Sequence, residues 1–171
     1  MVETGDVGPL VRRAARVLAV LDRGRVLLLR GGDPARPGTH IWHAPGGGVE
    51  AGERDREAAA REFLEETGRS IDIGPLVWDR DLEFSFNHVR YRQYELYFLT
   101  HVGAEFEPET DGHNEIEQQY LSGHGWFSPD DLRAAGEHDM LAPPDIVDRL
   151  EELLRDGPPA SVVRVLGAVL P

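Results

Sequence analysis

Between Gly47 and Arg69 the chain reads GGVEAGERDREAAAREFLEETGR, and this segment limits the fold more than any other. Glycines bound it on both sides, so a short helix is predicted over residues 54–67, with Gly68 as the residue that turns left-handed and stops it. Three carboxylates, Glu62, Glu65 and Glu66, crowd the last turn and a half. Like charges at i,i+3 and i,i+4 each cost roughly 0.2–0.5 kcal/mol, and carboxylates at a helix C-terminus face the negative end of the macrodipole. A segment that breaks two local rules together gains something functional there. At about 100° per residue the three glutamates project into one arc. Ala60, Phe63, Leu64 and Thr67 form the face expected to pack on a sheet, while Ala58 and Ala59 leave room for a ligand beside the acidic arc.

The chemistry that benefits is cation binding. Mg²⁺ takes oxygen ligands and keeps waters or substrate phosphate oxygens in its shell. The chain has no cysteine, which argues against a thiolate zinc site. Pro45 and Gly46–Gly48 precede the helix, a backbone able to turn tightly and bring a carbonyl against an ion. As a bare charge cluster, the same residues read equally well as a solvated acidic helix face.

Spacing separates the two readings. Gly47, Glu53, Arg61, Glu62, Phe63, Glu65, Glu66 and Gly68 follow the order glycine, five residues, glutamate, seven residues, then Arg-Glu-apolar-x-Glu-Glu-x-Gly. This resembles the Nudix box of the MutT-like Nudix hydrolase superfamily. Only the final apolar position departs, where Arg69 stands, with Ile71 placed to start the next strand instead. The resemblance implies a Nudix-type α/β/α sandwich with a central mixed β-sheet. It also implies an enzyme in which water attacks a diphosphate linkage with the help of Mg²⁺, Mn²⁺ being able to substitute. The implied metal ligands are Glu62, Glu65 and Glu66 with the carbonyl of Gly46 or Gly47. Arg61 would brace Glu53 and the glutamates, and Glu53 would support the site or occasionally ligate. The general base stays open between Glu62 and a later loop, where Glu115 and Glu117 are the candidates; each taken singly also reads as an exposed loop glutamate.

At 171 residues, with 40% hydrophobic and 29% charged residues, the chain suits a single globular domain. We read 1–171 as that domain, with a core over about 10–156 and a C-terminal extension at 157–171. No apolar run approaches the ~20 residues of a membrane span. Arg12-Arg13 ahead of Val17–Leu21 superficially suggests a signal peptide, but the apolar run stops at Asp22-Arg23 and reads as a strand. Without cysteine or a targeting segment, a cytoplasmic protein with no membrane partner is expected. The net charge of −13 argues against duplex DNA or RNA as partner. It leaves room for a small phosphorylated ligand, because a bound cation can be the largest local charge in a site.

Along the chain, residues 12–21 and 25–30 read as strands joined by a turn at Asp22-Arg23-Gly24. Gly31–Thr39 reads as a Gly/Pro loop and His40–Ala44 as a short strand. Long strands are predicted at 71–86 and 89–102, followed by an acidic loop at 103–119. Ser128 and Pro129 mark the start of a helix over 129–135. A second helix is expected at about 144–155 and a last strand at 161–166.

Substrate contacts are harder to read. Arg30 is either a ligand contact or a strand-edge arginine. Trp78, Arg80, Leu82, Phe84 and Phe86 alternate onto one face of a strand, and Arg90, Arg92 and Tyr94 are taken as the neighbouring strand's contribution. Basic and aromatic side chains together can stack a base and pair with phosphate, although half-buried strands carry such residues without any ligand. Trp42 and Trp126 fit the core, and the histidines show no zinc spacing. The favoured function is a Mg²⁺-dependent hydrolase cleaving a diphosphate linkage in a nucleoside diphosphate derivative, such as a nucleoside triphosphate or nucleotide sugar. A diphosphate isomerase of related fold would need the cysteine this chain lacks. The alternative is a non-catalytic nucleotide-binding sensor on the same fold. Many members of the family are dimers, so a homodimer stays open.

Overall fold

Strand β1 (Leu10–Leu21) is buried on both faces from Ala14 onward, which places it in the middle of the sheet. This computed structural model describes residues 8–109 and 120–167. Along one edge β1 runs parallel to β6 (Val89–Val102), with Leu10 opposite Tyr91 and Leu21 opposite Val102. Its other edge is divided. Val20 meets Val26 of β2 (Val26–Asp33), while Ala14–Arg16 pair antiparallel with β4 (Gly46–Gly48). Beyond β2 lie β3 (Arg36–His43) and β7 (Leu121–Phe127), both antiparallel to it. β8 (Met140–Ala142) runs parallel to β3. Beyond β6, antiparallel β5 (Leu76–Phe86) carries the short parallel strand β9 (Val163–Arg164). The sheet is therefore mixed, as expected.

Helices cover both faces. Helix α1 (Asp55–Thr67) lays Ala58, Ala59 and Phe63 against Val17, Ala19, Leu96 and Phe98. On the other face α2 (Pro129–Ala135) and α3 (Ile146–Asp156) bring Leu132, Ile146 and Leu150 onto Leu18, Val20, Trp78 and Tyr97. The result is the α/β/α sandwich. The helix ends follow local chemistry. Glu57 accepts the Arg54 N–H at 3.0 Å at the start of α1, and Gly68, at φ 70°, donates its N–H to Leu64 at 2.8 Å at the end. Ser128 and Asp131 satisfy each other's backbone N–H ahead of Pro129, a reciprocal cap.

Several expectations need correction. Gly31–Thr39 is not a loop: β2 continues to Asp33 and β3 begins at Arg36, making a hairpin. Asp33 turns that hairpin, its Oδ1 accepting the Ala35 N–H, and the same oxygen accepts the Asn87 N–H at the tip of the β5–β6 hairpin, both at 2.9 Å. On α1, Leu64 is exposed, and Ala58 and Ala59 are wholly buried instead of leaving space for a ligand. The apolar stripe there is Ala59-Phe63-Thr67, at i,i+4 spacing. Strand β5 starts at Leu76; Ile71 and Ile73 pack beside α1 without strand pairing. Arg69, the departure from the box, places its guanidinium 5.2 Å from the Phe106 ring centroid. The segment after 156 adds β9 and the buried Val165 to the core.

Phe63 ties α1 to the sheet and is fully buried. Phe63→Ala should therefore cost about 3–5 kcal/mol of unfolding free energy, read by urea denaturation. A loss below about 1 kcal/mol would show that α1 is not anchored through this ring.

Candidate active site

Two of the three glycines of β4, Gly46 and Gly47, are there for a steric reason. A Cβ on Gly46, whose φ is +138°, would lie 2.1 Å from the Ala15 carbonyl oxygen, and one on Gly47 would lie 2.5 Å from Oε2 of Glu62. The bare backbone lets β4 sit tight on β1 and gives the Glu62 carboxylate its place. Glu62 and Glu66 thus reach one wall of a cavity of about 400 Å³. Arg12, Arg16, Arg80 and Glu95 form another wall, and Phe84, Phe86, Tyr91 and Tyr120 supply aromatic surface.

The acidic wall is held by Arg61. Its Nε and Nη2 donate to the two oxygens of Glu53 at 2.9 and 3.0 Å, Nη2 also donates to the Gly48 carbonyl at 2.9 Å, and Nη1 donates to Glu62 at 2.8 Å. Glu65 lies 3.5 Å from the same guanidinium and is exposed. The bracing role expected for Arg61 is what the contacts describe. Hydrogen bonds from Arg61 and from the Glu50 amide hold the Glu53 carboxyl below its usual range. Burial pushes the Glu62 carboxyl up despite Arg61. Glu66 is only 3% exposed and accepts the Gly46 N–H at 2.7 Å.

These residues fit a hard divalent cation by donor chemistry: three carboxylates in one arc, two of them lining the cavity, with oxygen the sole donor type. Among the described residues no three acidic or histidine side chains already converge closely enough to hold an ion. The Gly46 carbonyl, expected as a ligand, accepts from Nη1 of Arg16 at 2.5 Å, which leaves one of its two lone pairs.

Behind the cavity lies a buried polar network that the sequence reading missed. Glu95, 1% exposed, receives Nε and Nη2 of Arg16 at 3.2 and 3.1 Å, Nε of Arg80 at 2.5 Å, Nε2 of Gln93 at 2.6 Å and the Tyr97 hydroxyl at 2.7 Å. Burial alone would raise its carboxyl, but Arg16 and Arg80 hold it well below the usual carboxylate range. The signal was present. Arg16 shares the parity of Leu18 and Val20 along β1, and Glu95 that of Tyr97 and Leu99 along β6, so opposite charges stood on the core face of neighbouring strands.

The proposed substrate contacts divide. Phe84 lines the cavity and stacks on Tyr91 at 5.3 Å, and Arg80 lines it while committed to Glu95. Arg30 is not among the lining residues; it makes a two-pronged pair with Asp139 at 2.7 and 3.0 Å. Arg92 pairs with Asp81 on the opposite face of β6, and Arg90 shares its parity. The cavity side of β6 is Tyr91, Gln93 and Glu95, paired with Phe84, Leu82 and Arg80. Glu115 and Glu117 lie outside the described residues.

The NUDIX domain matches residues 10–146, and the chain belongs to this family, the Nudix hydrolase superfamily. An RNA pyrophosphohydrolase of Erythrobacter litoralis (strain HTCC2594) is 34% identical over 103 residues, covering 53% of this chain and 61% of that protein. The chain thus spans under two thirds of that curated relative. The MutT protein of Methanosarcina mazei Go1 superposes with a TM-score of 0.62 at 22% identity, over 85% of this chain and 96% of that one. A MutT NUDIX hydrolase from Burkholderia pseudomallei gives 0.54 at 27% identity, over 71% and 85%.

His43 also lines the cavity. Burial, reinforced by Arg16, pushes its imidazole down to about 4, against about 6.5 in an unfolded chain. Between those values the unfolded state binds a proton that the native state refuses, so stability is full above about pH 6.5 and falls as pH drops toward 4. Urea midpoints should decline across that window, and His43→Gln should show a shallower decline. Parallel curves for the two proteins would remove the imidazole from the explanation.

Proposed function

We propose that the protein is a Mg²⁺-dependent pyrophosphohydrolase that cleaves a diphosphate linkage in a phosphorylated nucleoside, with Mn²⁺ able to replace Mg²⁺. The observation that carries this is the pair Glu62 and Glu66, fixed by Arg61 and the Gly46 amide on a cavity wall that faces Arg12, Arg16 and Arg80. Glu62, Glu65 and Glu66, with the carbonyl of Gly46 or Gly47, are the residues to hold the ion. When bound, it would neutralise phosphate charge and bring the pKa of a coordinated water toward neutrality.

The chain's own residues do the rest. Arg61 keeps Glu53 and Glu62 in place, so their mutual repulsion is met by a fixed guanidinium. Burial raises the Glu62 carboxyl, which suits it to accept the proton of the attacking water. The water oxygen forms a bond to one phosphorus as the bond from that phosphorus to the bridging oxygen breaks. The stacked pair Phe84 and Tyr91 offers a flat apolar surface for a base. The similarity to an RNA pyrophosphohydrolase supports a nucleoside triphosphate, free or at a chain end, as the substrate class. A single Nudix domain in the cytoplasm is part of the same proposal, supported by composition. No helix among the described residues is long and apolar enough to cross a membrane.

Phosphate or pyrophosphate release should be assayed over nucleoside triphosphates, nucleotide sugars, dinucleoside polyphosphates and triphosphorylated RNA. Activity should vanish with EDTA and return with Mg²⁺ or Mn²⁺; turnover indifferent to chelator would refute the cation assignment. Glu65→Gln and Glu66→Gln should lower kcat by about 10²-fold or more. The thermal midpoint of Glu65→Gln should hold or rise, because like-charge crowding is relieved. Loss of stability with activity retained would make the cluster structural.

A further inference from the structure

We propose that Glu95, acting through Arg16, is a positioning residue that fixes Gly46 and thereby the Glu66 carboxylate. This deepens the hydrolase reading and rests on it for its functional meaning. A chain of direct contacts connects them. Nε and Nη2 of Arg16 donate to Glu95 Oε1, and the remaining Nη1 donates to the carbonyls of Gly46 at 2.5 Å and Ala44 at 3.4 Å. The amide of the same Gly46 donates to Glu66 Oε2 at 2.7 Å. One glycine is thus gripped at its carbonyl by the network and grips the glutamate with its nitrogen.

Gly46 needs this outside grip. Glycine has the widest backbone freedom of any residue, and Gly46 sits at φ +138° in a space too tight for a Cβ. Glu95 in turn cannot swing. Arg16 and Gln93 occupy its Oε1, and Arg80 and Tyr97 occupy its Oε2. Gln93 is oriented too, because its amide nitrogen is given to Glu95 and its oxygen accepts from Arg12.

Stability alone is a poor explanation for such a network. A buried ion pair replaced by well-packed apolar residues is often neutral or stabilising, and apolar side chains fill the same face of β1 two and four residues on, at Leu18 and Val20. What an apolar substitute cannot do is point a guanidinium at the Gly46 carbonyl. The electrostatic sense of the network is coherent as well, since two guanidiniums against one buried carboxylate leave positive charge on the side facing Glu62 and Glu66.

The test is Glu95→Gln, which keeps shape and removes the anion that holds Arg16. Three readouts are taken on the full chain: exchange of the Gly46 amide by NMR without metal, Mn²⁺ affinity by electron paramagnetic resonance, and kcat with KM. We expect Gly46 exchange to quicken about tenfold or more, Mn²⁺ affinity to fall about 10–100-fold, and kcat to fall while KM stays within about threefold. A folded Glu95→Gln protein with unchanged Gly46 exchange, or with unchanged Mn²⁺ affinity, overturns the proposal. If Glu95→Gln fails to fold, Arg16→Gln carries the same readouts and the same outcomes, because it leaves Glu95 with Arg80, Gln93 and Tyr97. A wild-type protein that binds no Mn²⁺ would instead sink the hydrolase reading. The amide measurement would then decide the relay alone, quickened exchange supporting it and unchanged exchange overturning it.

Discussion

The parallel ladder between β1 and β6 is the constraint from which the other features follow. Because β1 is buried on both sides from Ala14 onward, each residue of that stretch must either fill a core or carry a partnered polar group. Odd positions such as Val17 and Ala19 fill the layer under α1, and even positions such as Leu18 and Val20 fill the layer under α2 and α3. The same parity continued toward the N-terminus puts Arg16 and Arg12 on the second face, where the apolar packing ends and the cavity begins. Pairing with β6 then sets Glu95 and Gln93 beside them. One strand thus supplies both the hydrophobic centre and the charged wall.

The division of the other β1 edge explains why acidic side chains from a helix on one face share a cavity with arginines on the other. Where β1 leaves β2 it takes up the three glycines of β4, and a strand without side chains does not screen Glu62 and Glu66 from the far side. The whole chain carries an excess of acid, whereas the cavity balances four carboxylates, Asp33, Glu62, Glu66 and Glu95, with four guanidiniums, Arg12, Arg16, Arg36 and Arg80, and Glu95 is already spent on two of these. The charge that a ligand meets in the cavity is thus a local property, set apart from the bulk charge of the chain.

Much of this was legible beforehand. The glycine-bounded helix, its glutamates and the Ser128-Pro129 start follow from local rules whose partners lie within a few residues, while the Arg61 brace was implied by the resemblance to the Nudix box. Long-range partners were read less well. Arg16 and Glu95 are far apart in sequence, and each looked like an ordinary strand charge until the register joined them. The choice of Arg90, Arg92 and Tyr94 was an error of parity. Asn87 and His88, at φ 47° and 65°, form a two-residue turn between Phe86 and Val89. Such a turn fixes pairing, so counting outward from it would have given Tyr91, Gln93 and Glu95. For Arg30, left open between ligand contact and strand-edge arginine, the structure supplies Asp139 as partner, a pairing across 109 residues that no local pattern reveals.

The single carboxylate oxygen of Asp33 ties two hairpins together, accepting from Ala35 in its own turn and from Asn87 across the gap. Residues of both hairpins border the cavity mouth, among them Arg36 on one side and Phe84 and Phe86 on the other. While that shared acceptor is kept, neither tip can swing by itself. Displacement of either flap must carry the other with it or part that bond, so the two hairpins respond as a pair to whatever sits between them.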